Sequence, residues 1–169
     1  MILPVPRYLL SSVSEITPEW MRQGGYTAIA ADLDDTLSRY RDKAPPPSAF
    51  AWIKSMREAN FPVGIVSNNR KLERVAIHAE ALGIPYVGAA RKPKPDGLIR
   101  LASILGAEPS RMVMVGDQIF TDAAAGIRAG MASARVPPLT NGIWVFVRRL
   151  AEWPFIMMAK RNTNCYYEE

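Results

Sequence analysis

Apolar runs alternate with polar clusters along this chain. Tyr26–Ala31 is small and apolar, and Asp32-Leu33-Asp34-Asp35-Thr36 follows it at once. Phe61–Val66 leads to Ser67-Asn68-Asn69, and Ile84–Ala90 leads to Arg91-Lys92-Pro93-Lys94-Pro95-Asp96. Met112–Val115 ends in Gly116-Asp117, with Asp122 shortly after. Short apolar runs bounded by turn-forming residues predict buried strands. The stretches between them predict helices. One starts at Ser48 and runs to Ala59, with Phe50, Ile53 and Met56 along one face. Others start at Asn69 and stop before Gly83, run from Asp96 to near Gly106, and run from Thr121 to near Gly130. The polar starters suit helix N-caps and the glycines suit left-handed C-terminal caps. A last strand is expected over Met131–Val136. Strand and helix in alternation predict an α/β fold, a Rossmann-like parallel sheet flanked by helices.

That fold decides what the polar clusters mean. Parallel strands all point one way, so their carboxyl ends meet along one edge, where open α/β sheets bind ligands. Asp32, Ser67, Lys92 and Asp117, distant in sequence, are expected to converge there. Asp32 and Asp34 are two apart and share a face of an extended backbone. Carboxylates so close repel unless a cation sits between them or one holds a proton. An isolated D-x-D would read more simply as an acidic turn capping the next element. The other clusters favour a site.

The clusters, in this order, resemble the motifs of the haloacid dehalogenase (HAD) phosphatase superfamily: D-x-D-x-T at Asp32–Thr36, Ser67, K-P-x-P at Lys92–Pro95, and G-D-x-x-x-x-D at Gly116–Asp122. The wording of these stretches is similar to subfamily IIIA, the bacterial YqeG-like branch, which is related to mitochondrial phosphatidylglycerophosphate phosphatases. The resemblance covers roughly residues 14 to 142; Asp35 departs from it, since the branch usually has Asn there. The resemblance implies a HAD-type phosphatase using Mg²⁺. Asp32 would be the nucleophile that forms an aspartyl-phosphate, and Asp34 the acid and then the base. Asp32, Asp117 and the carbonyl of Asp34 would hold Mg²⁺, an oxygen-seeking cation. Lys92, Ser67 and neighbouring groups such as Asn68 would hold the phosphoryl oxygens. Thr36 would fix the loop after the nucleophile, and Asp122 would orient Lys92 or a metal-bound water from behind. Neither Leu37–Phe61 nor Asn69–Arg91 has room for the cap domain that many family members carry, so the site should be open.

Composition sets limits on this picture. With 169 residues, 49% hydrophobic and 22% charged, the chain reads as globular. A lone Cys165 permits no internal disulfide and fits a reducing cytoplasm. The start is too short and Pro-broken for a secretion leader, and no apolar run reaches the ~20 residues that cross a bilayer. His78, the single histidine, reads as an exposed or half-buried helix position and not as a catalyst. A net charge of +5 gathers in part near the motifs, at Arg39, Arg41, Lys43, Arg70, Lys71, Arg74, Arg91 and Lys94, where it would steer an anionic substrate.

Residues 1–142 are therefore expected to form the capless catalytic domain, with 143–169 an amphipathic helix and tail packed on it or extending it. Between Ile143 and Arg161, bulky apolar residues, Trp144, Trp153 and Phe155 mix with Arg148, Arg149, Lys160 and Arg161. That composition suits either a helix lying in an anionic membrane interface or one packed on the sheet with a tail used in a homo-oligomer. Hydrolysis of a lipid-linked phosphomonoester at the cytoplasmic face of the membrane is the favoured expectation. Its rivals are another phosphomonoester (a nucleic-acid end, sugar or nucleotide) and a non-catalytic phosphoryl-binding module. A two-component receiver domain also clusters such residues, but its phosphorylated Asp ends a later strand.

Overall fold

All strands run parallel in one sheet of order β1-β6-β5-β2-β3-β4. They are β1 (Tyr8–Leu9), β2 (Ala28–Ala31), β3 (Val63–Val66), β4 (Tyr86–Val87), β5 (Met112–Gly116) and β6 (Ala132–Arg135). The helices are α1 (Pro18–Gln23), α2 (Pro47–Glu58), α3 (Leu72–Leu82), α4 (Asp96–Leu105), α5 (Ala124–Arg128) and α6 (Ile143–Asn162). A π-helical turn, Ile119–Ala123, precedes α5. This computed structural model describes residues 3–141 and 143–162, apart from the side chains of Trp144, Arg149 and Asn162. Cys165, the rest of the tail from residue 163 and the first two residues of the chain lie outside the described residues.

Every residue of β2 is buried, because helices cover both faces of the sheet. Alternation divides the core. Ile29 and Ala31 join Val63, Ile65, Val113 and Val115 against Met21, Trp52, Ile53, Met56, Val75 and Leu82. Ala28 and Ala30 join Met112 and Met114 against Leu98, Leu101 and Ala125. Burying such a side chain contributes about 1.5–3 kcal/mol. β2 pairs with β3 on one side and β5 on the other. The chain moves outward through β3 and β4, then returns across β2 to β5 and β6, so the strand order reverses beside β2. The crevice at the carboxyl ends of β2 and β5 is the topological switch point.

Several local expectations change. β1 precedes the strand read as the first, so the acidic motif ends the second strand in the chain. The run Ile84–Ala90 yields only the two-residue β4. α2 begins at Pro47, whose fixed φ and missing N–H suit the first turn, so Ser48 does not cap it. Its buried face is Ala49, Trp52, Ile53 and Met56, whereas Phe50 is exposed. Asn69 stops short of capping α3 and instead accepts from Lys71 N–H at 2.9 Å, in the turn before it. Gly83 and Gly106 are left-handed caps as expected, with φ of 64° at both. No cap domain interrupts the fold: α2 lies between the first and second motifs, and α3 and β4 between the second and third.

α6 continues through Pro154. Proline removes one helical hydrogen bond, from the carbonyl of Leu150. Leu150 and Pro154 are both exposed, so water can satisfy that carbonyl. Among the described residues no helix is long and apolar enough to cross a membrane.

Candidate active site

Asp32 follows β2 directly, and its N–H donates to Val115 O at 2.9 Å, extending the pairing with β5. Its buried carboxylate meets the ammonium of Lys92, with Nζ 2.6 Å from Asp32 Oδ1. The same Nζ lies 2.7 Å from Asp122 Oδ1 and donates to Val66 O at 2.9 Å. Three acceptors therefore take the three ammonium hydrogens. Burial alone would push the Lys92 pKa down, but Asp122 and Asp32 override it and hold Lys92 protonated. Burial pushes the Asp32 carboxyl up, Lys92 opposes that push, and Asp122 adds to it. Asp122 Oδ2 accepts from Gln118 N–H at 3.0 Å. Gly116 makes this approach feasible, since a Cβ there would lie 2.3 Å from Asp122 Oδ2.

Asp117, after β5, is fully buried and differently served. Oδ2 accepts from Arg148 Nη2 of α6 at 2.5 Å, while Oδ1 has no hydrogen-bond partner. Burial is the main cause that pushes the Asp117 carboxyl up to about 8, with Asp122 and Asp32 adding and Arg148 opposing. Carboxylate oxygens of Asp32, Asp117 and Asp122 all lie within 4.8 Å of one another, a cluster able to hold a metal ion. The donor set fits a hard divalent cation, and the unpartnered Asp117 Oδ1 is the oxygen that lacks one. Both Asp122 oxygens are already engaged, which leaves Asp32 and Asp117 as the better ligands. The Asp34 side chain is not in this cluster.

Asp34 instead faces a cationic clamp. Asn69 Nδ2 donates to Asp34 Oδ2 at 2.8 Å, and Arg74 Nη2 lies 2.9 Å from Asp34 Oδ1. Arg74 also donates to the carbonyls of Arg39 and Asp42, tying down the loop after the motif. Behind it, His78 is buried, with Nδ1 2.9 Å from Arg74 O and Nε2 3.2 Å from Ser38 Oγ. It is neither exposed nor half-buried as expected, because loop and helix together satisfy both ring nitrogens. Asp35 has a φ of 63°, a conformation Asp tolerates better than most residues. Its carbonyl accepts from Leu139 N–H at 2.9 Å and its carboxylate from the Thr140 hydroxyl. The added acid thus anchors the segment leading to α6.

The other predicted residues divide. Ser67 is buried at the end of β3 and accepts from Asn69 N–H at 3.1 Å. Asn68 grips the Lys92 backbone twice, accepting from Lys92 N–H at 2.6 Å and donating to Lys92 O at 2.9 Å. Its amide thereby places Lys92, and Asn68 is itself exposed and lines the cleft. Thr36 is buried with Oγ1 unpartnered, and it lines a separate cavity with Ser11, Ser14 and Trp52. It does not reach the cleft. That cleft, of about 510 Å³, is lined by Asp32, Asp34, Ser67, Asn69, Lys92 and Asp122, with Arg70 and Lys71 at its edge. Asn69, Arg74 and Arg148 contact the acids, although the sequence reading gave them no such place. Basic loop character was the only signal for Arg74, and none pointed Arg148 at Asp117.

Comparison with known proteins gives the family. The model of the haloacid dehalogenase-like hydrolases matches residues 19–130. A probable phosphatase, YqeG of Bacillus subtilis strain 168, is 30% identical over 98% of this chain and 96% of its own. The chloroplastic phosphatidylglycerophosphate phosphatase 1 of Chlamydomonas reinhardtii is 28% identical over 89% of this chain, which spans 61% of that protein. In fold, the chain is similar to the 3-deoxy-D-manno-octulosonate 8-phosphate phosphatase of Moraxella catarrhalis, with a TM-score of 0.50 and 19% identity over 85% of this chain and 93% of that one. The chain belongs to the haloacid dehalogenase-like hydrolases and is an enzyme of the phosphatase kind.

Proposed function

We propose that, within this family, the chain hydrolyses the phosphomonoester of a membrane lipid, phosphatidylglycerophosphate, for phosphatidylglycerol and cardiolipin synthesis, at the cytoplasmic face of the membrane. Residues 1–142 would do the chemistry and 143–169 would attach to them. The observation that carries the catalytic reading is the buried Asp32–Lys92–Asp122 network beside an Asp117 oxygen with no partner.

In the first half-reaction a carboxylate oxygen of Asp32 attacks phosphorus. The bond from phosphorus to the alcohol oxygen breaks, and Asp34 protonates the leaving alkoxide. In the second, Asp34 takes a proton from water as the water attacks the aspartyl-phosphate. Inorganic phosphate leaves and Asp32 is regenerated. Lys92 and Ser67 neutralise and hold the phosphoryl oxygens throughout. Mg²⁺ held by Asp32, Asp117 and the Asp34 carbonyl would supply further positive charge against the phosphoryl group. The contacts from Asn69 and Arg74 support this reading, since they would keep the Asp34 carboxyl in the cleft lining for both steps.

The lipid substrate is supported by the open, uncapped cleft and by the named activity of the algal relative. The exposed Arg70 and Lys71 at the cleft edge favour a second reading, a soluble polyanionic phosphomonoester such as a nucleotide, sugar phosphate or nucleic-acid end. An assay with Mg²⁺ separates these readings, using phosphatidylglycerophosphate in mixed micelles beside soluble phosphomonoesters. The expected result is a highest kcat/KM on the lipid, and a loss of at least about a hundredfold on every substrate in Asp32→Asn. Turnover of soluble esters alone would discard the lipid, and turnover that survives Asp32→Asn would discard the mechanism. No turnover of any ester would leave a phosphoryl-binding module.

A further inference from the structure

α6 has its apolar side outward. Ile143, Phe146, Val147, Leu150, Trp153 and Met158 are between 37% and 76% exposed. At 3.6 residues per turn they form one stripe along the helix. The opposite side carries Arg148, Glu152 and Ala159. Glu152 is fully buried and accepts from Ile119 N–H at 2.8 Å, and Arg148 reaches Asp117. A helix packed on a domain normally places these faces the other way round. An exposed apolar stripe of this length marks a binding surface.

We infer that the outer face of α6 is a docking surface for an anionic lipid bilayer. Charge selects this occupant. Glu152 is the only acid between Ile143 and Asn162, and it is buried, so the outward surface of the helix carries no negative charge. Lys160 and Arg161 stand exposed at its end. In a chain of net charge +5 and pI 9.6, such a face repels a second copy of itself and attracts an anionic surface. Trp153 supplies an indole of the kind that settles at a membrane–water boundary, and Phe146 adds apolar area to the same face. Arg148 and Glu152, fixed on the protein side, keep the helix in the plane of the interface. On its inner side the same helix reaches Asp117 through Arg148, so docking would bring the acidic cluster close to the membrane. The docking surface stands independently of the substrate, since a soluble ester could be hydrolysed by an enzyme held at a membrane.

The test is co-sedimentation of the full chain with vesicles of phosphatidylcholine alone or with about one-third phosphatidylglycerol. Wild type should pellet with the anionic vesicles, and less so as salt rises. The outer-face variant Phe146→Ser/Leu150→Ser/Trp153→Ser should lose at least about tenfold in vesicle affinity. Aryl-phosphate hydrolysis and circular dichroism of this variant should match wild type, showing an intact fold. Lys160→Glu/Arg161→Glu should weaken binding through charge alone. Failure of wild type to pellet would overturn the inference, as would equal pelleting by the triple variant. A wild-type dimer that the triple variant dissociates, without vesicle binding, would assign the face to a second copy instead.

Discussion

The two sides of the acidic cleft solve the same electrostatic problem differently. On the Lys92 side, one ammonium serves Asp32, Asp122 and the Val66 carbonyl, and every hydrogen has an acceptor. The Asp117 side has one oxygen without a partner and draws its cation from α6, a helix outside the strand-and-loop framework. The first side is complete within the protein. The second is short of positive charge, which is where a divalent cation fits. A structural charge cluster would have both sides closed, so the gap at Asp117 speaks for function.

The largest expected effect comes from opening the closed side. Lys92→Met leaves Asp32 and Asp122 buried together without their shared cation. Removing one partner of a buried ion pair costs about 3–5 kcal/mol. Urea denaturation should show that loss, and activity should fall with it, because the phosphoryl oxygens lose their charge partner. A variant as stable as wild type would mean that the network is not under the tension its burial implies.

A smaller effect should appear on the Asp117 side without mutation. Burial raises Asp117 from 3.8 to about 8 in the metal-free protein. Between those values the folded chain holds a proton that the unfolded chain has released. Stability of the metal-free protein should therefore fall as pH rises from about 4 to about 8 and then level off, by at most ~1.4 kcal/mol per pH unit for one proton. Saturating Mg²⁺ binds the ionised form and should flatten the slope. Denaturation midpoints with chelator and with Mg²⁺, compared at several pH values, check this. A slope indifferent to Mg²⁺ would detach Asp117 from the metal.

What could be read in advance followed what is local. β2, β3 and β5 are apolar runs, and Asp32, Ser67 and Asp117 follow them directly, so the parallel-sheet rule was enough to bring them together. β1 is two residues long and shows no periodicity; pairing with β6 alone defines it. The Asp34 clamp depends on Arg74, 40 residues away in the chain, and on a loop that folds back over it. Thr36 matched a motif, yet it lines a neighbouring cavity with its hydroxyl unpartnered, because a motif fixes a residue's identity and not its surroundings. The interior of α6 was least legible. Nothing in the sequence around Arg148 shows that the phase of the helix brings it to Asp117.

That phase changes how Arg148 should be tested. From sequence, Arg148 stands with Lys160 and Arg161 among the cations expected to meet an anionic membrane. The contact with Asp117 ties Arg148 to the buried acidic cluster instead. In the metal-free protein its guanidinium does for Asp117 Oδ2 what a bound cation would do, so the two compete for one carboxylate. Arg148→Gln should therefore lower the Mg²⁺ concentration needed for binding, whereas Arg148→Lys, which keeps the charge, should stay nearer wild type. The Arg148 side chain is 25% exposed and that of Asp117 fully buried, so the pair is more than a surface contact and the shift should be at least a few-fold. Calorimetry and the Mg²⁺-induced rise in Tm measure it without relying on turnover. Unchanged Mg²⁺ affinity with a raised KM would show that Arg148 serves the phosphoryl group of the substrate and not the carboxylate beneath it.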